Sequence, residues 1–591
     1  MPPITALPLL ALLFPAAATL VCSALGRPWP RRPAVWARWV MRVGLLLALA
    51  DAVTILFWLQ AGGTLQSTLW RLEPRLPITL SVGTSGAVLA VMVLVAALVV
   101  SFAARDRRPL ASAALGLAVL GAVGAAFAGD LLSLYIGLQL SALGGIGLSY
   151  ARQPRAASSR MVWAAVADQA IGLVWLGSML VLLHRTATLQ LSAIPTSNVG
   201  PALVGVLLLP AAVRLAGCGL IAGSATPGRP GSTGRSLDVA DWLTVVAVPT
   251  ALLLLIRVQA LSGGTWPAPW FGTGLDLLAV LMGMVAVAGL LASSNPQSGL
   301  RSLLLVLGAL VIVGFGQNSS DGTLLGLTAG LFLEVSVSCL PRALLGSVRG
   351  RSPIKPRPTR RGKGAQLRPS AMVMLIPCLL GFGVAFLGLD LALRGGLEVG
   401  SAPALAYLFA LAGLVLAIPR LRRAVTLPTG WSWPLWLPAL CLGAAAILPG
   451  WSLTVAAAAL APPGTTGLAL LSAPDPLVIL APGLLWPGGY LVLLVGLVAG
   501  GGWALRLATG ARPATSENLA LAPTTPVVVL PERLAGLVVR ASSAPSWTRE
   551  VRGWYSILVA LADREVAERP VWLWVAATAA AAWLLAEVVK L

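Results

Sequence analysis

Asp51, Asp168, Arg214, Glu334 and Asp390 all stand inside long apolar stretches of this sequence. A charged side chain at the centre of a bilayer costs about 3 kcal/mol or more, so it faces a bundle interior and a partner. Two readings apply to each. The residue forms a structural ion pair or meets water at a helix end, or it passes protons or ions through the bundle. Asp168 and Arg214 are candidates for one such pair. No other reactive chemistry is evident. Cys22, Cys218, Cys339, Cys378 and Cys441 are scattered, with no CxxC spacing, so neither an iron–sulfur nor a zinc site is expected, and no cofactor. The single histidine, His184, stands beside Arg185 at an expected helix end and is read as an interfacial residue.

The elements that hold these residues follow from composition. The chain has 591 residues, 58% hydrophobic and 10% charged, whereas soluble domains carry roughly 25% charged residues. The apolar residues come in blocks of ~20, the length of a helix that crosses a bilayer. A membrane barrel would instead show alternating segments of about ten residues. Helices are expected near 4–26, 39–60, 81–103, 110–128, 131–150, 161–183, 200–222, 238–259, 272–293, 299–316, 322–346, 371–392, 402–419, 433–456, 485–505 and 571–589. The fold class is therefore an all-α integral membrane protein of about sixteen transmembrane helices. The opening block, Ile4 to Leu25, has no basic residue before it and exceeds the usual core of a signal peptide, so it is expected to stay as the first helix.

A net charge of +21 raises nucleic acid as a partner, but the placement of that charge argues against it. Of the 41 Lys and Arg residues, 34 fall in or beside the connections on one side of the expected helices. Six fall on the other side, and Arg214 lies within the seventh helix. This is the positive-inside pattern, which makes the rich side cytoplasmic and puts both termini outside. The expected organisation is helices one to four over 1–127, a core of helices five to eleven over 128–348, and a basic Pro/Gly-rich linker over 349–370. Helices twelve to fifteen follow over 371–505, then a cytoplasmic loop over 506–570 and a last helix over 571–591. The linker suits a flexible topology anchor or a contact with anionic lipid. Within the loop, Trp554, Tyr555, Ile557 and Leu558 alternate with Arg549, Arg552 and Arg564, as in a helix lying in the interface.

Several short segments then fall in a recognisable order. Ala128-Gly129-Asp130-Leu131-Leu132-Ser133-Leu134-Tyr135, continuing to Gln139 and Ser141, opens the fifth helix. Leu76-Pro77-Ile78-Thr79-Leu80 precedes the third. Thr186-Ala187-Thr188-Leu189 and Leu191 follow the sixth. Arg301-Ser302-Leu303-Leu304 with Gly314, Arg342-Ala343-Leu344-Leu345 with Gly350, and Ile376-Pro377 with Gly381-Phe382 complete the set. Over residues 75–385 this order resembles the antiporter-like membrane subunits of respiratory complex I, of membrane-bound hydrogenases and of Mrp-type antiporters.

The resemblance implies a bundle with broken seventh and twelfth helices. It also implies a fifth-helix glutamate paired with a seventh-helix lysine, and further Lys or His residues continuing at mid-membrane. Matched residue by residue, the glutamate position holds Gln139, the lysine position Arg214, the eighth-helix histidine position falls near Thr244, and the eleventh-helix lysine position holds Arg342. The candidate ion path is therefore Gln139, Asp168, Arg214, Glu334, Arg342 and Asp390. Gln139 carries no charge, and an arginine stays protonated and relays protons poorly. The sequence also departs from the family's Pro-rich signatures, with Asp238-Val239-Ala240-Asp241-Trp242-Leu243 in place of one of them.

The function implied is a membrane-arm subunit of a complex I-like or hydrogenase-like oxidoreductase complex in the bacterial plasma (inner) membrane. Its partners would be other membrane and peripheral subunits and the lipid bilayer, with electron transfer left to those subunits. A non-conducting scaffold subunit of such a complex, or a stand-alone secondary transporter, are the alternatives. A reporter fused near Arg360 is expected on the cytoplasmic side; activity of an extracytoplasmic reporter there would overturn the topology.

Overall fold

The structure, a computed structural model, describes residues 6–25, 33–60, 65–73, 76–103, 109–152, 159–222, 243–292, 296–349, 402–425, 479–481 and 484–486. It also describes single helical residues between 381 and 393. In chain order the elements are α1 (Leu7–Leu25), α2 (Pro33–Gln60), β1 (Leu65–Glu73), β2 (Leu76–Val82), α3 (Thr84–Ala103), α4 (Pro109–Ala126), α5 (Leu131–Arg152), α6 (Ser159–Thr186) and α7 (Pro201–Ala222). A π turn over Leu243–Ala247 leads into α8 (Val248–Leu261). Then come α9 (Pro269–Ala292), α10 (Pro296–Gly316), α11 (Ser320–Arg349), α12 (Ala402–Val425) and a minimal hairpin of β3 (Ile479–Ala481) and β4 (Leu484–Trp486). The first eleven expected helices and the thirteenth are present to within a few residues. The linker, the expected fourteenth and sixteenth helices and the loop 506–570 lie outside the described residues. The twelfth is described only at single positions. The expected start of the fifteenth helix at 485 falls instead within β4.

Among the described residues eight helical spans, those of α1 to α5, of α8 together with its π turn, and of α9 and α10, are long and apolar enough to cross a membrane, and α6, α7, α11 and α12 hold shorter apolar stretches. Burial separates them. The α10 span is 94% buried and that of α1 only 28%, so α10 is a central column and α1 a peripheral one. Outward side chains are apolar too: Leu20, Trp36 and Phe57 are each about two-thirds exposed. This surface suits lipid. The chain is a multi-pass membrane protein.

Lipid tails are as apolar as leucine, so the helices gain little from hiding apolar surface from one another. They must pack by close backbone approach. The α4–α5 pair shows how. A Cβ on Gly137 would meet the Ala125 nitrogen at 2.5 Å and the Gly121 oxygen at 2.8 Å, and one on Gly121 would meet the Gly137 oxygen at 2.6 Å. The turn between α10 and α11 is equally tight, with Gly314, Gly322 and Gly326 set backbone to backbone. It is pinned from outside by Trp266, which donates from its backbone N–H to Asn318 Oδ1 (2.6 Å) and from its indole to the Phe315 carbonyl (2.7 Å).

The antiparallel hairpin β1–β2 is unexpected from the hydropathy pattern, and so is its extension. Leu80 bridges to Ala128 and Asp130 to Gln190. The carboxylate of Asp130, 1% exposed, ties this patch to the start of α5. It accepts from the Thr79 N–H (2.6 Å) and hydroxyl (3.0 Å), and from the Ser133 N–H (2.7 Å) and hydroxyl (2.6 Å). A carboxylate at this position caps the orphan N–H groups and complements the helix dipole. The opposite charge serves at the other helix ends. Arg257 of α8 donates to the Ala126 carbonyl that closes α4 (3.1 Å). Arg42 of α2 donates to the Ser101 carbonyl near the end of α3 (3.1 Å) while its guanidinium lies 4.4 Å over Phe102.

Asp130→Ala removes the cap and strands buried donors, a loss of about 2–4 kcal/mol. Its thermal midpoint in detergent should fall well below that of wild type. An unchanged midpoint would show that the knot does not hold the fold.

Candidate functional site

Helices α5, α7, α9, α11 and α12 begin at the face of the bundle that carries the β1–β2 hairpin, and α8 and α10 end there. Depth can be read from the helix rise of about 1.5 Å per residue. Arg214 lies about 20 Å along α7, Glu334 about 21 Å along α11, and Thr250 about 16 Å from the hairpin-face end of α8. All three sit near the middle of a hydrocarbon layer about 30 Å thick.

They also sit inside. Arg214 is 4% exposed, Glu334 2% and Thr250 1%. Arg214 donates from Nη1 to the Thr250 hydroxyl (2.6 Å). That hydroxyl in turn donates to the Val246 carbonyl in the π turn. The five residues Leu243–Ala247 form a π rather than an α turn, and Pro249 follows at the start of α8, bringing no N–H of its own. The wider turn loosens the carbonyls there, and a π turn inside a helix often marks a functional site. Thr244, matched to the family's histidine position, is fully buried in this turn. Glu334 lies one turn beyond Gly330, whose Cα faces Leu252 of α8, so it shares the α8-facing side of α11. The structure thus brings Arg214 and Thr250 together at a turn that also holds Thr244, and sets the buried Glu334 at similar depth on α11.

Gln139 is held separately. It sits about 12 Å along α5, where a Cβ on Gly172 of α6 would collide with its side-chain amide. One turn earlier Tyr135 stacks on Trp175 of α6 (6.3 Å between centroids, 11° between planes). Trp175 in turn donates to the Leu207 carbonyl of α7 (3.3 Å). Gln139 Oε1 is buried and receives no hydrogen bond among the described residues. The π turn packs on both α5 and α7, so it lies between Gln139 and Arg214.

One expectation changes here. The resemblance implied a break in the seventh helix, yet α7 runs from Pro201 to Ala222 with Pro210 inside. Pro210 has no N–H to give the Val206 carbonyl, and the neighbouring Leu207 carbonyl is taken by Trp175. The helix therefore tolerates the proline, and the irregular backbone appears instead at the start of the eighth. The Pro77 segment precedes the third helix, as expected, and forms β2, whose backbone Asp130 and Gly129 bind at Thr79. Asp168 and Arg342 lie on α6 and α11, with side chains outside the described residues, and Asp390 lies outside them altogether. Sequence reading missed the buried acid Asp276 on α9, and Gln259 and Thr323 as an interior pair. A single acid in an otherwise uncharged span was the signal for Asp276.

No protein-family profile matches the chain, and neither does any curated protein sequence. Solved structures do. Against a chain of the Mrp complex of a Dietzia species the TM-score is 0.62 at 16% identity, covering 96% of this chain and 63% of the other. Against a chain of respiratory complex I from Thermus thermophilus, solved with bound aureothin, the TM-score is 0.50 at 20% identity, covering 75% of this chain and 98% of the other. The chain thus spans less than two thirds of the Mrp chain that it matches along nearly its whole length. The likeness shows a shared fold, that of the antiporter-like membrane subunits of these two complexes.

Gly172→Ala should lower the thermal midpoint, because the added methyl meets the Gln139 amide. Gln139→Ala in the same chain should recover most of the loss. A double variant no better than the single one would show that the two side chains are not in contact.

Proposed function

We propose that this chain is an antiporter-like membrane subunit of a complex I-like or hydrogenase-like oxidoreductase complex, and that it contributes to ion movement coupled to electron transfer. The observation that carries this reading is the buried Arg214–Thr250 bond at the π turn, set at mid-depth, with the buried Glu334 at similar depth on α11. A guanidinium is not placed there for packing alone, since desolvating it costs several kcal/mol. It gives the interior a fixed positive charge, which attracts carboxylates, hydroxide and oriented water, while Glu334 on the facing helix is a group that can take up and release a proton. The π turn adds loosened carbonyls that can bond water. Redox groups would belong to partner subunits, and the setting would be the bacterial inner membrane with both termini outside.

One observation favours a second reading, a scaffold subunit that keeps the fold and conducts nothing. Where the resemblance expects an acid, the uncharged Gln139 packs on Gly172, and where it expects an exchangeable lysine stands Arg214.

Affinity purification of the tagged chain from native membranes, followed by mass spectrometry, should recover peripheral redox subunits and further membrane subunits. Recovery of the chain alone would defeat the oxidoreductase reading. Arg214→Ala deletes a charge-assisted bond of about 2 kcal/mol and is expected to lower the amount of assembled complex. Arg214→Lys, which can still reach a hydroxyl, should assemble. A fully assembled Arg214→Ala complex that fails to acidify proteoliposomes would instead make Arg214 part of the transfer path. Equal acidification by wild type and Arg214→Ala would favour the scaffold.

A further inference from the structure

A second set of polar groups lies nearer the hairpin face, in the half of the bundle built by α8 to α12. Asp276 of α9 is 3% exposed, and Tyr407 of α12 is fully buried. Tyr407 is carried by α12, which packs against α9. A Cβ on Gly316 would fall on Asp276 Oδ1, so the carboxyl lies directly over the last turn of α10. The next residue, Gln317, curls over Gly322, whose added Cβ would stand 2.8 Å from Gln317 Oε1. Beyond Gly322, the Thr323 hydroxyl accepts from Gln259 Nε2 of α8 (3.0 Å).

The row therefore reads Tyr407, Asp276, Gln317, Thr323, Gln259, carried by five different segments. Five of its polar atoms receive no hydrogen bond among the described residues although they are buried: Tyr407 Oη, Asp276 Oδ1, both Gln317 amide atoms and Gln259 Oε1. One such atom leaves a bond worth about 1–3 kcal/mol unmade, and native proteins rarely tolerate a cluster of them. Internal water satisfies groups of this kind where they converge on a polar recess. Glycines at 316, 322 and 388 leave the room: side chains at these positions would meet Asp276, Gln317 and the Tyr407 hydroxyl respectively.

We propose that Asp276 is a second proton-binding carboxyl, served by internal water along this row and separate from the Arg214 region. Protonation takes a proton from a neighbouring water onto a carboxylate oxygen, and release returns it to the same water. No redox partner or other reactant is needed. Of the titratable groups on the helices packed around Asp276, Tyr407 alone faces it among the described residues. Arg301 stands on α10 about 22 Å from Gly316. Leu215 of α7 touches Gly308, so its neighbour Arg214 lies about 12 Å deeper than Gly316 along α10. Glu334 lies about 12 Å beyond Gly326 along α11. Arg420, Arg422 and Arg423 are three or more turns further along α12.

The test uses the full-length protein in lipid nanodiscs without turnover, so it is independent of the role proposed above. Infrared difference spectra between acid and alkaline buffer should contain a protonated-carboxyl band. The band should shift promptly in heavy water and vanish in Asp276→Asn. Should that variant not fold, labelling of the wild type with dicyclohexylcarbodiimide, mapped by peptide mass, should mark Asp276 and fade as pH rises. An Asp276 carboxyl whose band and labelling ignore both pH and heavy water is a dry packing residue, and the proposal fails.

Discussion

Inside hydrocarbon no water is at hand to bond an orphan peptide group, so each crossing of this chain must satisfy its own backbone and can do so only as a helix. The points of risk are then the helix ends and the few places where the helix geometry changes. The structure answers each with a named group. Asp130 caps α5 and joins it to β2. Arg257 closes α4 and Arg42 serves the end of α3. Trp266 secures the turn between α10 and α11. Charge is spent at the ends, where a dipole repays it, and the spans between are left to glycine-mediated contact.

The same constraint makes polar residues in the spans informative. Thr250 helps Arg214 to be buried: its hydroxyl accepts from the guanidinium while donating to the Val246 carbonyl in the π turn. Proline decides where the irregularity falls. Pro210 is absorbed within α7, since Trp175 from α6 takes a carbonyl next to the one the proline leaves free. Pro249 instead stands where the π turn meets α8. The two regions rich in polar atoms sit at different depths, Arg214 with Thr250 and Glu334 at the middle and Asp276 with Tyr407 nearer the hairpin face.

The likeness to the Mrp and complex I chains is one of fold. At such low identity the likeness speaks for the fold alone. Asp276, Glu334 and the Gln259–Thr323 pair keep the interior polar at several points.

Block length and basic-residue placement by themselves determined that the chain is helical, that it lives in a membrane, and where the first eleven helices and the thirteenth run. Both signals are local and additive: a span needs about twenty apolar residues wherever it is, and each loop's charge acts on its own. The buried place of Arg214 and Glu334 was legible for the same reason, since a charge within a span has to face inward. Only the tertiary structure decided which groups meet. Nothing near Arg214 in sequence points to Thr250, thirty-six residues on. Nothing near Gln259 points to Thr323, sixty-four residues on. The β1–β2 hairpin also escaped notice, because its strands are stabilised by Phe127, Gly129 and Asp130, residues from after α4 that lie far along the chain. Partners in a helix bundle are chosen by crossing and rotation of whole helices. These depend on where glycines allow backbones to touch, and that information is spread over many segments at once.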